Sequence, residues 1–174
     1  MDILSPTQEG MLETFERHMA AEATGDLDTA LATMADDPYV NHVPVMTGGV
    51  GRENVRRFYR DHLVGRFFPP DAEMINVSRT VGADRIVEEG VARFTHTTPV
   101  DWMLPGVPPT GQRIEVAAVA IIDFDDGKIV HERIYWDQAS VLVQIGMLDP
   151  AGLPVTGADS ARKVLDPTLS PRET

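Results

Sequence analysis

The sequence predicts an α+β fold in which helices come first and long antiparallel strands follow. Apolar residues recur at helical spacing in several segments of the first third of the chain. Segments rich in β-branched residues then occur between residues 73 and 136, and an Asp-Gly turn separates the last two segments. Helices that are segregated from a run of consecutive strands are typical of the α+β class.

The N-terminal segment predicts a long helix followed by a short one. Ser5 precedes a proline and an apolar stripe, so the first helix is expected to begin there and to end before Gly25. A second helix is expected over residues 27–34 and is expected to stop near Pro38, because proline disfavours helical geometry in the residue before it. The stripe of the first helix consists of Met11, Leu12, Phe15, His18 and Met19.

A short strand, a loop and a third helix are expected next. The strand covers residues 39–43, and the glycine-rich residues 46–51 are expected to form a loop. The third helix begins near Gly51. Its buried side is expected to contain Val55, Phe58, Tyr59 and either His62 or Leu63.

The second half of the domain is expected to form two strand pairs. Residues 73–81 and 85–97 form the first pair, and residues 98–109 leave the sheet before the second. The second pair is a hairpin of residues 114–124 and 129–136, because its β-branched runs flank an Asp-Gly turn. Asp137 is then the expected N-cap of a closing helix with Val141, Leu142, Ile145 and Leu148 at helical spacing.

The chain length fits one domain with a C-terminal extension. Of the 174 residues, residues 1–149 are expected to form the domain. Residues 150–174 are richer in turn formers and are expected to be a partly ordered extension, with a short helix near residues 160–165.

Composition disfavours several classes of partner and chemistry. The chain has 27 acidic and 15 basic side chains, and its formal charge of −12 would repel nucleic acid and anionic lipid. It lacks a signal-peptide pattern and a long apolar segment, so a cytoplasmic location is expected. It contains no cysteine, which removes disulfides, thiolate metal sites and cysteine nucleophiles.

Several ordered motifs resemble one protein family. The sequence contains ATMADDPYVNHVP, GRENVRRFY, FTH, DWMLPG, PPTG and YWDQASVLVQIG in that order. It is similar in these motifs to SnoaL-like proteins of the nuclear-transport-factor-two-like superfamily, including those labelled ester cyclases or carboxymethylenebutenolidases. More distant relatives include ketosteroid isomerases and limonene-epoxide hydrolases.

This resemblance implies a cone-shaped fold and a small-molecule ligand. The curved, mostly antiparallel sheet would wrap around the N-terminal helices and leave an internal pocket. A polyketide-like, steroid-like or lactone-like molecule would bind there without a cofactor or metal. The outer face of the sheet would form a homodimer interface.

The resemblance also places two histidines in that pocket. His42 falls where the isomerases keep their carboxylate base, and His18 falls on their oxyanion-stabilising tyrosine. Trp136 matches an aromatic residue of the pocket. Because histidine titrates near neutral pH, His42 and His18 could act as base and hydrogen-bond donor. The alternative is that His18 is a hydrogen-bonded core residue and that His42 only ends a strand.

The acids used by the known enzymes are absent at the matching positions. The isomerase oxyanion carboxylate falls on Ala120, and the cyclase catalytic aspartate falls on Ile134. The arginine and one aspartate of the epoxide hydrolases fall on Glu89 and Val91. Epoxide hydrolysis by that residue set is therefore disfavoured.

Alternation along the strands predicts the remaining pocket wall. It places Glu132, Ile134 and Trp136 inward on the last strand. The same counting predicts inward-facing Glu89 and Arg93, as a wall pair or a purely structural ion pair. The other inward residues are expected to be Val87, Val91, Ile114, Val116, Ala118, Ala120 and Ile122.

Residues 98–109 are expected to lie at the mouth of the pocket. His96 and Asp101 flank this segment, and Trp102 forms either a lid over the ligand or an anchor that holds the loop. A metal bound by His42, His62 and His96 is a minor alternative, because their spacing does not match a known ligand pattern.

Two functions from different classes are compatible with these residues. The first is a small-molecule enzyme that performs cyclisation, isomerisation, elimination or water-based hydrolysis by histidine acid–base chemistry. Attack by a serine nucleophile is disfavoured, because no Gly-x-Ser-x-Gly motif occurs. The second is a binding or assembly module that holds an apolar ligand without turnover, which the absent acids favour.

Overall fold

The computed structural model describes residues 4–170 of the chain. The helices are α1 (Pro6–Thr24), α2 (Leu27–Ala32), α3 (Arg52–Phe58), α4 (Gln138–Gln144) and α5 (Asp159–Leu165), and a π-helical turn (Tyr59–Leu63) continues α3. The strands are β1 (Met34–His42), β2 (Thr47–Val50), β3 (Glu73–Val81), β4 (Arg85–Thr95), β5 (Arg113–Asp125) and β6 (Lys128–Trp136).

The six strands form one curved, unclosed sheet in the order β2-β1-β6-β5-β4-β3. All neighbouring strands are antiparallel except β1 and β6, which run parallel. Helix α1 packs against the inner face of this sheet. The predicted α+β class, with a mostly antiparallel sheet around N-terminal helices, is confirmed.

Helix α1 follows its sequence signals closely. The Ser5 hydroxyl accepts a hydrogen bond from the Gln8 backbone amide, and the Gln8 side-chain oxygen accepts one from the Ser5 backbone amide. Pro6 occupies the first turn. Gly25 ends the helix in the left-handed conformation, with φ of 86°. The buried residues are Met11, Phe15, His18, Ala21 and Glu22, so the inner face carries two polar side chains.

The segment after α2 differs from the prediction. Helix α2 ends at Ala32, and Met34 already belongs to β1, where it pairs with Ile129 of β6. Strand pairing outweighs the helical pattern here, and a bulge between Met34 and Tyr39 accommodates the two aspartates and Pro38. The predicted second helix was therefore two residues too long, and the first strand starts earlier than expected.

The predicted glycine-rich loop also contains a strand. Residues Thr47–Val50 pair antiparallel with β1. Gly48 has φ of 136°, and a Cβ atom at this position would lie 2.1 Å from the Val40 carbonyl oxygen. Only glycine fits this close approach, so the glycines here serve an edge strand.

The third helix turns its C-terminal residues toward the interior. Tyr59 and Leu63 are buried in the π-helical turn, whereas His62 is exposed, which settles the two alternatives in favour of Leu63. A π-helical turn shifts the residues that follow it around the helix axis. Tyr59 lies at the start of this turn and Leu63 at its end, and both side chains are buried.

The hairpin and the closing helix form as predicted. Strands β5 and β6 meet at an Asp-Gly turn, and the Asp137 side chain accepts a hydrogen bond from the Ser140 amide at the start of α4. Helix α5 packs on β5, where Arg162 binds Glu115 at 2.6 Å. Among residues 4–170, no helix combines the length and apolarity needed to cross a bilayer.

Candidate active site

A cavity of about 310 Å³ lies between α1 and the inner face of the sheet. Its wall is mostly apolar, and Ala118 and Ala120 of β5 leave space where larger side chains would fill the interior. Three aromatic side chains, Phe67, Phe68 and Trp102, form one part of the wall. The polar lining residues are Glu22, His42, Tyr59, Asn76, Arg79, Glu88 and Glu132.

The predicted inner faces of β5 and β6 agree with the structure. Val116 and Ala118 of β5 line the cavity, as do Glu132 and Ile134 of β6. Ala120 pairs directly with Ile134, and residues paired in this way point to the same face.

The predicted inner face of β4 was wrong by one residue. Glu88 pairs with Ala120 and lines the cavity, so Glu89 points to the opposite face. There Glu89 accepts a hydrogen bond from Ser78, and Arg93 forms an ion pair with Glu115 at 3.0 Å. Neither is a wall residue. A shift of one residue in pairing exchanges the two faces of a strand, and the sequence alone did not fix this register.

Four buried polar side chains form a cluster at the cavity wall. His18 Nε2 lies 3.1 Å from Glu22 Oε1 and 3.3 Å from Glu132 Oε1. The Tyr59 hydroxyl donates to Glu132 Oε2 at 2.7 Å and lies 3.3 Å from His18 Nε2. Glu22, Tyr59 and Glu132 line the cavity, whereas His18 lies behind them. We refer to these four residues as the acidic cluster.

The surroundings of His18 favour its charged form. Burial alone would lower the pKa of His18, but the carboxylates of Glu132 and Glu22 raise it to about 9. On the other side of the ring, Nδ1 lies 2.6 Å from the Thr33 hydroxyl, which itself donates to the Ala30 carbonyl. Acceptors therefore face both ring nitrogens, and an imidazolium ion satisfies them all.

Two other members of the acidic cluster, Tyr59 and Glu132, have raised pKa values. Burial, followed by the charges of Glu132 and Glu22, raises the pKa of Tyr59 well above its usual value. Burial also raises the pKa of Glu132, against the opposing effect of His18. Burial thus favours the protonated form of Glu132, whose carboxyl group faces the cavity.

His42 is buried in different surroundings. Its ring centroid lies 5.0 Å from that of Trp102, 5.5 Å from that of Phe58 and 6.1 Å from that of Trp136. Burial lowers the pKa of His42 to about 4, so the ring is neutral at neutral pH.

The hydrogen bonds of His42 fix which ring nitrogen carries the proton. Nδ1 lies 3.2 Å from the Thr47 carbonyl oxygen and must donate to it. Nε2 is then unprotonated, and it has no hydrogen-bond partner among residues 4–170. Because His42 lines the cavity, this nitrogen is available to a ligand.

Glu22 and Glu132 had not been predicted as site residues from the sequence. Glu22 lies four residues after His18 on the same helix, and this spacing places both side chains on one face. Glu132 had been placed on the inner face by alternation but not assigned a role. The cavity therefore carries carboxyl groups at positions other than those of the known enzymes.

The remaining predicted site residues lie around the aromatic part of the wall. Trp102 lines the cavity and also anchors its loop, since its Nε1 donates to the Phe67 carbonyl at 2.6 Å. Trp136 lies behind the wall, with its ring 5.4 Å from that of Trp102. Asp101 pairs with the exposed His62 at 3.4 Å, outside the cavity.

His96 is buried away from the cavity. Its Nδ1 accepts from the Thr110 amide at 3.3 Å, and its Nε2 has no partner among the described residues. His42, His62 and His96 thus have separate partners. One group within residues 4–170 could hold a metal ion, namely His18, Glu22 and Glu132, whose ligand atoms lie within 4.8 Å of one another. Hydrogen bonds within the acidic cluster already account for this arrangement.

Comparison with solved structures shows the same fold in proteins of low sequence identity. A candidate SnoaL-like polyketide cyclase from Jannaschia sp. CCS1 is 22% identical, with a TM-score of 0.67 over 86% of this chain and 100% of that one. IdmH from Streptomyces antibioticus, a candidate polyketide cyclase, is 25% identical, with a TM-score of 0.58 over 78% and 98% of the two chains.

A third similar structure is AclR from Streptomyces galilaeus, a candidate hydroxylase. It is 21% identical, with a TM-score of 0.60 over 82% of this chain and 88% of that one. No curated protein sequence matches this chain. Residues 15–132, which include the second half of α1 and most of the sheet, match the SnoaL-like domain. The chain therefore belongs to the SnoaL-like domain family.

Proposed function

We propose that this protein is an enzyme that moves protons on a small hydrophobic molecule held in the cavity. Cyclisation, isomerisation, elimination and water-based hydrolysis all belong to this type of chemistry. The observation that carries the proposal is the free Nε2 atom of His42, which faces the same cavity as the carboxyl groups of Glu22 and Glu132. The fold shared with candidate polyketide cyclases supports a cyclase-type role.

In this proposal His42 accepts a proton from the substrate. Its ring is neutral at neutral pH, and the Thr47 carbonyl holds the tautomer whose Nε2 lone pair is free. With a pKa of about 4, His42 is a weak base in solution terms, so it depends on close positioning of the substrate.

The acidic cluster would supply the second proton-transfer group. Glu132 lines the cavity, its pKa is raised by burial, and Tyr59 orients it by donating at 2.7 Å. A protonated carboxyl group can donate to a developing oxyanion or leaving group. His18 is a positioning residue, because it contacts Glu22 and Glu132 from behind the wall.

The test is an activity panel on wild-type protein and two histidine variants. Dienelactones, ketosteroids and polyketide-like esters cover the ligand classes suggested by the resemblance. His42→Ala should lower kcat by about 10²–10⁴-fold, the usual contribution of a positioned acid or base. His131→Ala is the matched control, because its side chain is exposed on the outer face near Asp123. Turnover that is unchanged by His42→Ala would overturn the mechanism.

The second candidate function is a ligand-binding module without turnover. The low basicity of His42 and the mostly apolar wall favour it. Absence of turnover on the whole panel, together with tight binding of an apolar compound in calorimetry, would support this function over the enzyme.

We also propose a homodimer that uses the outer face of the sheet. That face carries Arg133 and Tyr135 of β6, and Tyr135 remains 41% exposed in the single chain. Multi-angle light scattering should give the mass of two chains for the wild type. It should give a lower mass for Tyr135→Glu, and a monomeric wild type would exclude the dimer.

A further inference from the structure

Negative groups outnumber positive ones on the wall of the cavity. Three carboxylates, those of Glu22, Glu88 and Glu132, line it, against one cationic side chain, Arg79, among the described residues. Arg79 is already engaged, since it contacts Glu88 at 2.5 Å and Glu16 at 3.2 Å. The pair of Arg79 and Glu88 is therefore balanced, and the excess lies in the acidic cluster.

The acidic cluster contains two carboxylates and one cation. The imidazolium of His18 contacts both Glu22 and Glu132 and compensates one negative charge. The side chains of His18, Glu22 and Glu132 are at least 92% buried, so water screens the remaining charge only weakly. A buried carboxylate needs a proton or a second cation nearby. Without a ligand, a proton on Glu132 balances the cluster, and this is the proton that the proposed acid role uses. An ammonium group in the cavity would take the place of that proton and leave both carboxyl groups ionised.

His42 adds an independent requirement for a hydrogen-bond donor. Its side chain is 2% exposed, and Nε2 is an acceptor without a partner among residues 4–170. A ligand that enters the cavity and donates a hydrogen bond would pair this acceptor. The Glu22 carboxylate is near enough to act on the charge state of His42. The polar groups offered to a ligand are thus mainly acceptors.

Another part of the wall is aromatic. The rings of Phe67 and Trp102 stack with centroids 5.3 Å apart and planes 21° apart, and Phe68 packs edge-on against Trp102. Aromatic faces bind flat hydrocarbon groups and also attract cations. A cavity of about 310 Å³ has room for a two-ring ligand beside this wall.

We propose that the cavity takes an aromatic amine, with the ring system against Phe67 and Trp102 and the ammonium group donating to Glu22 and Glu132. Carboxylate ligands are excluded by the same two acids. This inference rests on the proposed function only in that the bound amine is taken to be the substrate. His42 then remains available to the part of the amine substrate that reacts.

The test compares three ligands of one shape and different charge. Naphthylmethylamine, naphthylmethanol and naphthoate are titrated into the full chain by calorimetry at pH 7. The amine should bind at least about tenfold more tightly than the alcohol, because its hydrogen bonds to the carboxylates are charge-assisted, and naphthoate should bind most weakly.

Two glutamate variants locate the effect. Glu132→Gln should bring the affinity of the amine close to that of the alcohol and leave the alcohol nearly unchanged. Glu89→Gln is the matched control, because Glu89 follows the cavity-lining Glu88 on β4 but faces outward. This variant should change the affinity of neither the amine nor the alcohol. Thermal unfolding of each variant confirms that the fold is intact.

Equal affinity for amine and alcohol, tighter binding of naphthoate, or no binding of the amine by wild-type protein would overturn the inference. The comparison of ligands in the wild type does not depend on the folding of any variant. Amine binding without turnover would leave this inference intact and remove the enzymatic proposal. Turnover of neutral esters without a preference for amines would leave the enzymatic proposal intact and overturn this inference.

Discussion

His18 and His42 are both buried almost completely, yet they are held in opposite charge states. Carboxylates surround His18, and its pKa is raised to about 9. Aromatic rings surround His42, and its pKa falls to about 4. Burial acts on both rings in the same direction, so the neighbours decide the outcome. One histidine therefore stabilises buried acids, and the other offers a free lone pair to the cavity.

The largest effect is expected when the cation of the acidic cluster is removed. His18→Ala leaves Glu22 and Glu132 facing each other without a counter-charge and also leaves a cavity. Loss of one partner from a buried ion pair typically costs about 3–5 kcal/mol. Urea unfolding should show a loss of that size, whereas His131→Ala on the outer face should change stability by about 0.5 kcal/mol or less. Equal losses of stability in the two variants would contradict a buried, charge-compensating His18.

The two histidines should also give stability opposite dependences on pH. The pKa of His18 is raised in the folded state, so its contribution is complete below pH 6.5 and is lost as the pH rises through about 9. The pKa of His42 is lowered, so its contribution is complete above pH 6.5 and is lost as the pH falls through about 4.

Urea unfolding between pH 4 and pH 9.5 measures both limbs. Relative to wild type, His18→Ala should flatten the alkaline limb, and His42→Phe should flatten part of the acidic limb while keeping the interior filled. A wild-type profile with no loss of stability above pH 7 would contradict the assignment of His18.

A smaller effect is expected from the hydroxyl of Tyr59. Tyr59→Phe removes the donor that holds Glu132 Oε2 and leaves a buried carboxylate oxygen without its partner. A loss of about 1–3 kcal/mol in stability is expected for an orphaned buried acceptor. The charge state of His42 should not change, and imidazole NMR signals measure this directly. A change in the charge state of both His18 and His42 in this variant would mean that the two histidines belong to one coupled network.

The smallest effect is expected on the outer face of β4. Glu89→Gln should alter stability by about 0.5 kcal/mol or less, because Glu89 contacts Ser78 outside the cavity. It should leave the titration of His18 and His42 unchanged. A changed titration of His18 in this variant would show that Glu89 faces inward and that the pairing with β5 is different.

Local signals predicted much of this fold. The capping box at Ser5, the left-handed Gly25, the β5–β6 hairpin and the Asp137 cap all depend on residues a few positions apart. They could be read from the sequence because the same short segments decide them.

Features set by strand pairing could not be predicted in the same way. Met34 joins a strand because of Ile129, which is far along the chain, and Glu88 faces inward because of its pairing with Ala120. The resemblance placed His42 correctly in the cavity wall, but the partners of His18 come from three separate elements. Its charge depends on Glu132 and Glu22, and only the folded structure brings Glu132 to it.

The most direct test of the account is the protonation of the two buried histidines at pH 7. Long-range nitrogen–proton NMR correlations distinguish an imidazolium ion from each neutral tautomer. We predict an imidazolium ion at His18 and a neutral ring at His42 with the proton on Nδ1. A neutral His18, or a His42 ring that carries its proton on Nε2, would contradict it.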